Sequence, residues 1–227
     1  MAVVIVGSST GNGLEVDTDN NAKVQFRAPA FGSLGCYQTT AVSGAITATL
    51  SANSDLFSLQ WTNASNLCVI KRIRVSGVVQ STITTAVPFD LAAFLALGAT
   101  YTAHDTGGTA ISTSGNQTKL RTSMGTSLMG DLRIASTGTL TPGTYTLNTL
   151  PIGRVQGFTG TATGTQIFSS ANLGPVTLFD RSQPGLYPVV LAQNEGIIIQ
   201  NPLAGPASGT FSILVEVEWR RSRFLLN

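Results

Sequence analysis

Residues 211–219 alternate between apolar and polar side chains, and this pattern constrains the fold more than any other feature. The polar positions include Ser212, Glu216 and Glu218. Successive side chains of a strand point to opposite faces of a sheet, so one face is expected in a core and the other towards solvent or a partner. The predicted core face consists of Phe211, Ile213, Val215, Val217 and Trp219.

Shorter stretches repeat the pattern. Residues 56–61 put Phe57, Leu59 and Trp61 on one face, and residues 69–75 put Ile73 and Val75 opposite Arg72 and Arg74. The chain has 30 Thr, 21 Ser and 24 Gly but only 11% charged residues, against about 25% in an average soluble domain. Thr favours strands, whereas Ser and Gly favour turns. These observations predict an all-β, jelly-roll-like β-sandwich, with a barrel as the alternative.

Three segments qualify this fold. Residues 1–24 contain few large apolar side chains after Val6, which predicts an extended N-terminal arm ahead of a single β-sandwich domain at residues 25–227. Residues 88–98 begin with Pro, end with Gly and contain good helix formers between them, which predicts one short helix. Residues 139–147 predict a hairpin with its turn at Pro142 and Gly143.

No set of residues predicts catalysis, cofactor binding or a metal site. His104 is the single histidine and lies beside Asp105 in a loop-like stretch. The sequence contains no Gly-x-Ser-x-Gly motif that would present a nucleophilic serine to this histidine. Asp17 and Asp19 lack the glycine and the twelfth-position glutamate of a calcium loop. Most of the other acids have structural interpretations, as element starts (Asp55, Asp90), ion pairs (Asp131 with Arg133, Asp180 with Arg181), a turn (Glu195) and a strand face (Glu216, Glu218). We therefore predict that the protein is not an enzyme.

Charge and cysteine content exclude further classes. A net charge of +2 without a basic face argues against nucleic-acid binding, and Arg220, Arg221 and Arg223 are interpreted as a solvated or subunit-bridging tail. No apolar run reaches the 18 or so residues that a membrane span requires, and the N-terminus does not resemble a signal peptide. Cys36 and Cys68 do not form a zinc motif; Cys68 is expected in the core, and a disulfide between the two stays open.

Several stretches resemble virion structural proteins of tailed bacteriophages. They span both ends and the middle of the chain: residues 4–12, 14–17 with 23–24, 51–61, 119–124, 188–196 and 215–219. None is a catalytic signature. The resemblance implies a component of the virus particle, made in the host cytoplasm and located in the virion.

The resemblance implies two roles in the particle. The first is a capsid decoration (cement) protein, which binds the major capsid protein and itself, with a homotrimer favoured, and requires neither nucleic acid nor membrane. The second is a tail or head-fibre component that binds the host. A virion-associated glycan hydrolase is a third role, which the absence of a marked carboxylate pair disfavours.

Overall fold

A computed structural model describes residues 35–47, 49–113, 119–120, 123–168, 174–182 and 187–223. The arm predicted for residues 1–24 lies outside these ranges. Within them the chain forms twelve strands and no helix. In chain order the strands are β1 (Cys36–Val42), β2 (Ile46–Thr47), β3 (Ser54–Trp61), β4 (Asn66–Ser81), β5 (Pro88–Ala96), β6 (Thr109–Ala110), β7 (Asp131–Ile134), β8 (Gly153–Phe158), β9 (Val176–Asp180), β10 (Val189–Leu191), β11 (Glu195–Asn201) and β12 (Thr210–Arg223).

The strands form two six-stranded sheets in which every pairing is antiparallel. The first sheet has the order β1-β12-β4-β10, with β2 also paired to β12 and β9 also paired to β4. The second has the order β6-β7-β3-β11-β5-β8. The all-β class predicted from the sequence is confirmed.

One apolar core joins the inner faces of the two sheets. Phe89 of β5 packs edge-on against Phe211 of β12, with ring centroids 4.9 Å apart. Trp61 of β3 and Trp219 of β12 are both fully buried in this core. The core face predicted for residues 211–219 is confirmed, since all five of its apolar side chains are buried.

The helix predicted for residues 88–98 is wrong, because Pro88–Ala96 forms strand β5. β5 lies between β11 and β8, and its residues are buried on both faces. A strand covered on both sides reads as a continuous apolar run, which periodicity alone does not distinguish from a buried helix. Pairing with two neighbouring strands outweighs the modest helix propensity of its Ala and Leu residues.

Backbone hydrogen bonds connect the two sheets on both sides of the core. On one side the Thr47 amide donates to the Thr137 carbonyl at 3.0 Å, joining β2 to the segment after β7. On the other, Ile167 links the sheets: its amide donates to Gly77 of β4 at 2.9 Å, and its carbonyl accepts from Phe158 of β8 at 3.1 Å. The body therefore combines two stacked sheets with some of the edge closure typical of a barrel.

Residues 97–106 and 140–148 form a ribbon over the outer face of the second sheet. The two segments run antiparallel, with Ala103 opposite Thr144 and Thr106 opposite Thr141. The hairpin predicted within residues 139–147 is therefore wrong, because this segment pairs with residues 96–106. A Cβ atom at Gly143 would lie 2.1 Å from the Ala103 carbonyl oxygen, so Gly143 is needed for close backbone approach.

Candidate functional site

Of the two ion pairs predicted from the sequence, the structure contains one. His104 lies in the ribbon, outside the strands, with Nδ1 2.6 Å from the Asp105 carbonyl oxygen and 3.5 Å from an Asp131 carboxylate oxygen. Arg133 donates to the same Asp131 oxygen at 3.0 Å, which confirms that ion pair. Asp180 instead accepts from the amide and hydroxyl groups of Ser182, at 2.8 and 2.6 Å.

The arginines predicted as a tail belong to a strand. Arg220 pairs with Val69, and Arg221 with Cys68, so these residues continue β12 along β4. The Arg221 guanidinium lies over the ring of Tyr37, 5.5 Å from its centroid. The prediction of a terminal tail at these residues is wrong, because β4 is long enough to pair with β12 up to residue 223. Contact of these arginines with another subunit stays a prediction.

A β-bulge turns one carboxylate of β3 away from the core. Simple alternation would place Asp55 on the core face with Phe57 and Leu59. The register between β3 and β11 shifts at this point, so Ile199 faces Phe57 whereas Gln200 faces Asp55. A bulge adds one residue to a strand and redirects its neighbours. Asp55 consequently points from the outer face of the second sheet towards the ribbon.

Asp55 is held there by two side chains. Its Oδ2 accepts a hydrogen bond from the Tyr145 hydroxyl of the ribbon at 2.7 Å. Its Oδ1 accepts from the Gln200 amide of β11, also at 2.7 Å. The backbone carbonyl of Asp55 accepts from the Leu140 amide at 2.8 Å. Asp55 is 1% exposed, so this one residue ties the sheet to the second segment of the ribbon in a buried setting.

A second aspartate lies in the same cluster. Asp105, on the first segment of the ribbon, is 0% exposed, and its Oδ1 accepts from the Gly143 amide at 2.9 Å. Among the described residues, its Oδ2 has no hydrogen-bond partner of good geometry, and neither does the buried hydroxyl of Tyr101 or of Ser58. We call Asp55, Asp105 and Tyr145 the carboxylate cluster.

Burial governs the ionisation of this cluster. It raises the pKa of Asp55, and the Asp105 charge adds to the rise, while hydrogen bonds from Gln200 and Tyr145 oppose it. Burial likewise raises the pKa of Asp105, against the lowering effect of the Gly143 amide and the nearby Tyr145 and Ser58 hydroxyls. Burial also raises the pKa of Tyr145, and hydrogen bonding to Asp55 raises it further, so it stays a phenol.

The cluster brings together residues that the sequence did not connect. Asp55 and Tyr145 are 90 positions apart, and no local motif marks either one. The ribbon also packs Tyr101 against Ile198 and Ala96 of the sheet, which covers the cluster with apolar side chains. A glycosidase needs two carboxyl groups that a sugar can reach, and these are closed off.

The outer face of the first sheet has a different character. It carries the ion pairs Arg72–Glu218 (3.1 Å) and Arg74–Glu216 between β4 and β12. Apolar side chains flank them at opposite edges: Val42 of β1 is 60% exposed and Val190 of β10 is 45% exposed. Most outward side chains of this face keep solvent contact, whereas the ribbon covers the other sheet.

The cysteines are unpaired. Cys36 and Cys68 are both buried, and β12 lies between them because Arg220 pairs with Cys36 and its neighbour Arg221 with Cys68. Two strand spacings amount to roughly 10 Å, beyond the 7 Å limit for a disulfide. Burial raises the pKa of the Cys68 thiol well above its usual range. The disulfide left open by the sequence does not form in this structure.

Comparison with known proteins identifies no family. No protein-family model matches the chain, and no curated protein matches it significantly. Within the described ranges, no three His, Cys, Asp or Glu side chains are grouped to hold a metal ion. The same residues contain no helix long and apolar enough to cross a membrane.

Proposed function

We propose that this protein is a structural component of a tailed-bacteriophage virion, and specifically a capsid decoration protein. In this role it binds the outer surface of the major-capsid shell and stabilises it. The proposal includes the finer fold description, a jelly-roll sandwich with an arm at residues 1–24, and a homotrimeric state. It is supported by the sequence resemblance and by the all-β, weakly charged body.

The observation that carries the proposal is the contrast between the two outer sheet faces. The second sheet is covered by the ribbon, whose Tyr101 and Tyr145 fill that side. The first sheet offers an open β-surface whose central charges are already paired with each other by Arg72–Glu218 and Arg74–Glu216. Such a surface carries little net charge, so another protein surface can approach it without strong repulsion.

The edges of this open face carry the groups that we expect to contact another subunit. Exposed apolar side chains at Val42 and Val190 suit burial against another subunit, because each removes apolar area from water on contact. β10 is a three-residue strand at the edge of the sheet, so it offers only a few backbone groups to an added strand. We propose the major capsid protein as the occupant of this face.

The test adds the purified protein to capsids that lack it. We expect binding and a higher capsid melting temperature, since a ligand that binds only the assembled state stabilises it. Val42→Asp and Val190→Asp should each weaken binding at least tenfold, because a buried unpaired charge opposes association. Leu150→Asp is the matched control: Leu150 is 77% exposed but lies in the loop before β8, outside the strands of the first sheet. Wild-type protein that fails to bind capsids would sink the proposal.

A second experiment addresses the arm. Removing residues 1–24 should weaken capsid binding more than it lowers the free energy of unfolding, because these residues contribute few core-like side chains. Affinity and urea unfolding of the truncated protein are measured side by side. An unchanged affinity would rule out a binding role for the arm.

The same preparation distinguishes the other roles. Binding to host cells or to their glycans, without binding to capsids, would favour a tail or head-fibre component. Glycan cleavage that is lost on a single Asp or Glu substitution would establish a hydrolase. A cryo-electron micrograph of the particle labelled through this protein would separate capsid from tail.

A further inference from the structure

β1 is the outermost strand of the first sheet, and one side of its backbone faces away from β12. Just before β1 the Gly35 carbonyl accepts from the Arg221 amide at 3.2 Å, and just after it the Ser43 amide donates to the Ile213 carbonyl at 2.9 Å. The register between these two points contains no bulge, so the odd-numbered residues of β1 make the hydrogen bonds to β12. The amide and carbonyl groups of its even-numbered residues therefore point away from the sheet.

The chain itself covers this edge at both ends of β1. At the first end the Cys36 carbonyl accepts from the Leu120 amide at 3.2 Å. At the other end the Ser136 backbone lies against Gly44, since a Cβ atom added there would be 2.8 Å from the Ser136 carbonyl oxygen. The uncovered stretch between them is residues 38–42, which is about 17 Å long at about 3.4 Å per residue. We call residues 38–42 the open edge.

The open edge offers backbone groups with which another strand can pair. Its even-numbered residues are Gln38, Thr40 and Val42, and no described residue makes a hydrogen bond to their backbone amides or carbonyls. The side chains of Thr40 and Val42 are exposed, and β1 contains no proline, no charged residue and no bulge. Edge strands usually carry such features, because unpaired backbone groups otherwise recruit another strand. The open edge is therefore suited to strand addition.

The covered ends restrict what can occupy the open edge. A long rigid strand, such as β1 of a second copy, would run into Leu120 at one end and Ser136 at the other. A short extended segment of about five residues fits between them, provided that the chain on either side of it can turn away from the sheet. The occupant is therefore a short segment on a flexible connection and not the edge of another folded sheet.

Residues 3–6 match the open edge. Their sequence is Val-Val-Ile-Val, and they belong to the one run of more than two consecutive apolar residues within residues 1–34, which lie outside the described ranges. Such β-branched residues favour strands, and neither residues 3–6 nor residues 38–42 carry a charge, so their pairing buries no unpaired charge. Residues 7–34 span at most about 90 Å at about 3.3 Å per residue. A folded body of this size is roughly 40 Å across, so residues 3–6 can reach a neighbouring copy.

We propose that residues 3–6 of each chain add as a strand to the open edge of a neighbouring copy, so that exchanged strands hold the oligomer together. This exchange rests on the homotrimer proposed above, which selects a neighbouring copy over the chain's own edge, and it supplies the contact between the subunits. Head-to-tail exchange closes a ring, because each chain donates one segment and receives one. The outer face of the first sheet stays available to the capsid.

Light scattering and hydrogen exchange of the full-length protein test the accepting side. We expect a trimer in which the amides of Gln38, Thr40 and Val42 are protected from exchange about a hundredfold or more. Thr40→Pro removes an amide that points away from β12, so the fold should persist while the subunit dissociation constant rises about tenfold or more. Thr40→Val keeps the amide and the β-branched shape, and this control should stay trimeric.

Substitutions in the donated segment test the other side without touching the folded body. Ile5→Asp places a charged, strand-disfavouring residue in the segment and should dissociate the trimer as Thr40→Pro does. Ser9→Asp, beyond the apolar run, is the control and should not. A mixture of Ile5→Asp and Thr40→Pro chains should form a 1:1 complex, because the first keeps the open edge and the second keeps the donated segment.

Three results would overturn the exchange. Edge amides that exchange freely in the wild type would mean that no strand is added. A monomeric wild type with protected edge amides would assign residues 3–6 to the edge of their own chain. A trimer that Ile5→Asp leaves intact would assign the subunit contact to other residues. Capsid binding is measured separately: a strand-exchanged oligomer that ignores capsids contradicts the decoration role alone, whereas capsid binding with unprotected edge amides contradicts the exchange alone.

Discussion

The two buried tryptophans differ in the hydrogen bonding of their indole N–H groups, and this difference predicts different stabilities for their Phe variants. Trp61 Nε1 donates to the Asn66 carbonyl at 2.8 Å, whereas Trp219 Nε1 is buried without a partner among the described residues. Replacing either with Phe removes roughly 40 Å³ of side chain, which costs about 1 kcal/mol at about 24 cal/mol per Å³ of cavity. Trp61→Phe loses in addition a hydrogen bond worth about 1 kcal/mol, and it leaves the carbonyl unpaired.

For Trp219→Phe, the change in hydrogen bonding stabilises the protein, whereas for Trp61→Phe it destabilises it. It removes an unsatisfied buried N–H, which relieves about 1 kcal/mol or more. It also keeps an aromatic ring against Tyr37, whose centroid lies 5.7 Å from the Trp219 ring. We therefore expect Trp61→Phe to cost about 2 kcal/mol and Trp219→Phe close to zero.

Urea unfolding followed by circular dichroism measures this difference. With a slope of about 2 kcal/mol per molar urea, the two midpoints should differ by about 1 M. Trp61→Phe and Trp219→Phe serve as each other's controls, because they delete the same atoms from equally buried positions. A Trp219→Phe variant as unstable as Trp61→Phe would refute the reasoning from the unpaired N–H.

Three further outcomes are expected. Trp219→Ala should lower the free energy of unfolding by about 3–5 kcal/mol, as measured by urea unfolding, and a small loss would place this side chain outside the core. Gly153→Ala should destabilise by more than 1 kcal/mol, since its Cβ would lie 1.9 Å from a backbone oxygen of β9, whereas Gly138→Ala, with no atom within 4 Å, should change stability little. Cys36 and Cys68 should resist a thiol reagent in the native protein and react on unfolding, and rapid native labelling would contradict their burial.

The sequence predicted what local alternation determines. Alternation of apolar and polar residues predicted which side chains of β12 face the core, and it placed Ile73 and Arg74 on opposite faces of β4. This alternation exists because one face of the first sheet stays open to solvent. β5 could not be predicted in this way, since burial on both faces removes the alternation. The carboxylate cluster depends on a bulge beside Asp55 and on a partner 90 positions away. Neither the bulge nor the distant partner produces a recognisable pattern in a short stretch of the sequence.

The position of β12 has a consequence for how the chain folds. This strand, last of the twelve in chain order, lies between β1 and β4 in the first sheet. β4 meets its other neighbours, β9 and β10, only at residues 176–180 and 189–191. During vectorial synthesis β1 and β4 therefore emerge early and wait for every strand that pairs with them in this sheet. Such non-local pairing folds slowly and leaves strand edges exposed. A chain that stops before residue 210 would lack the strand that joins β1 to β4.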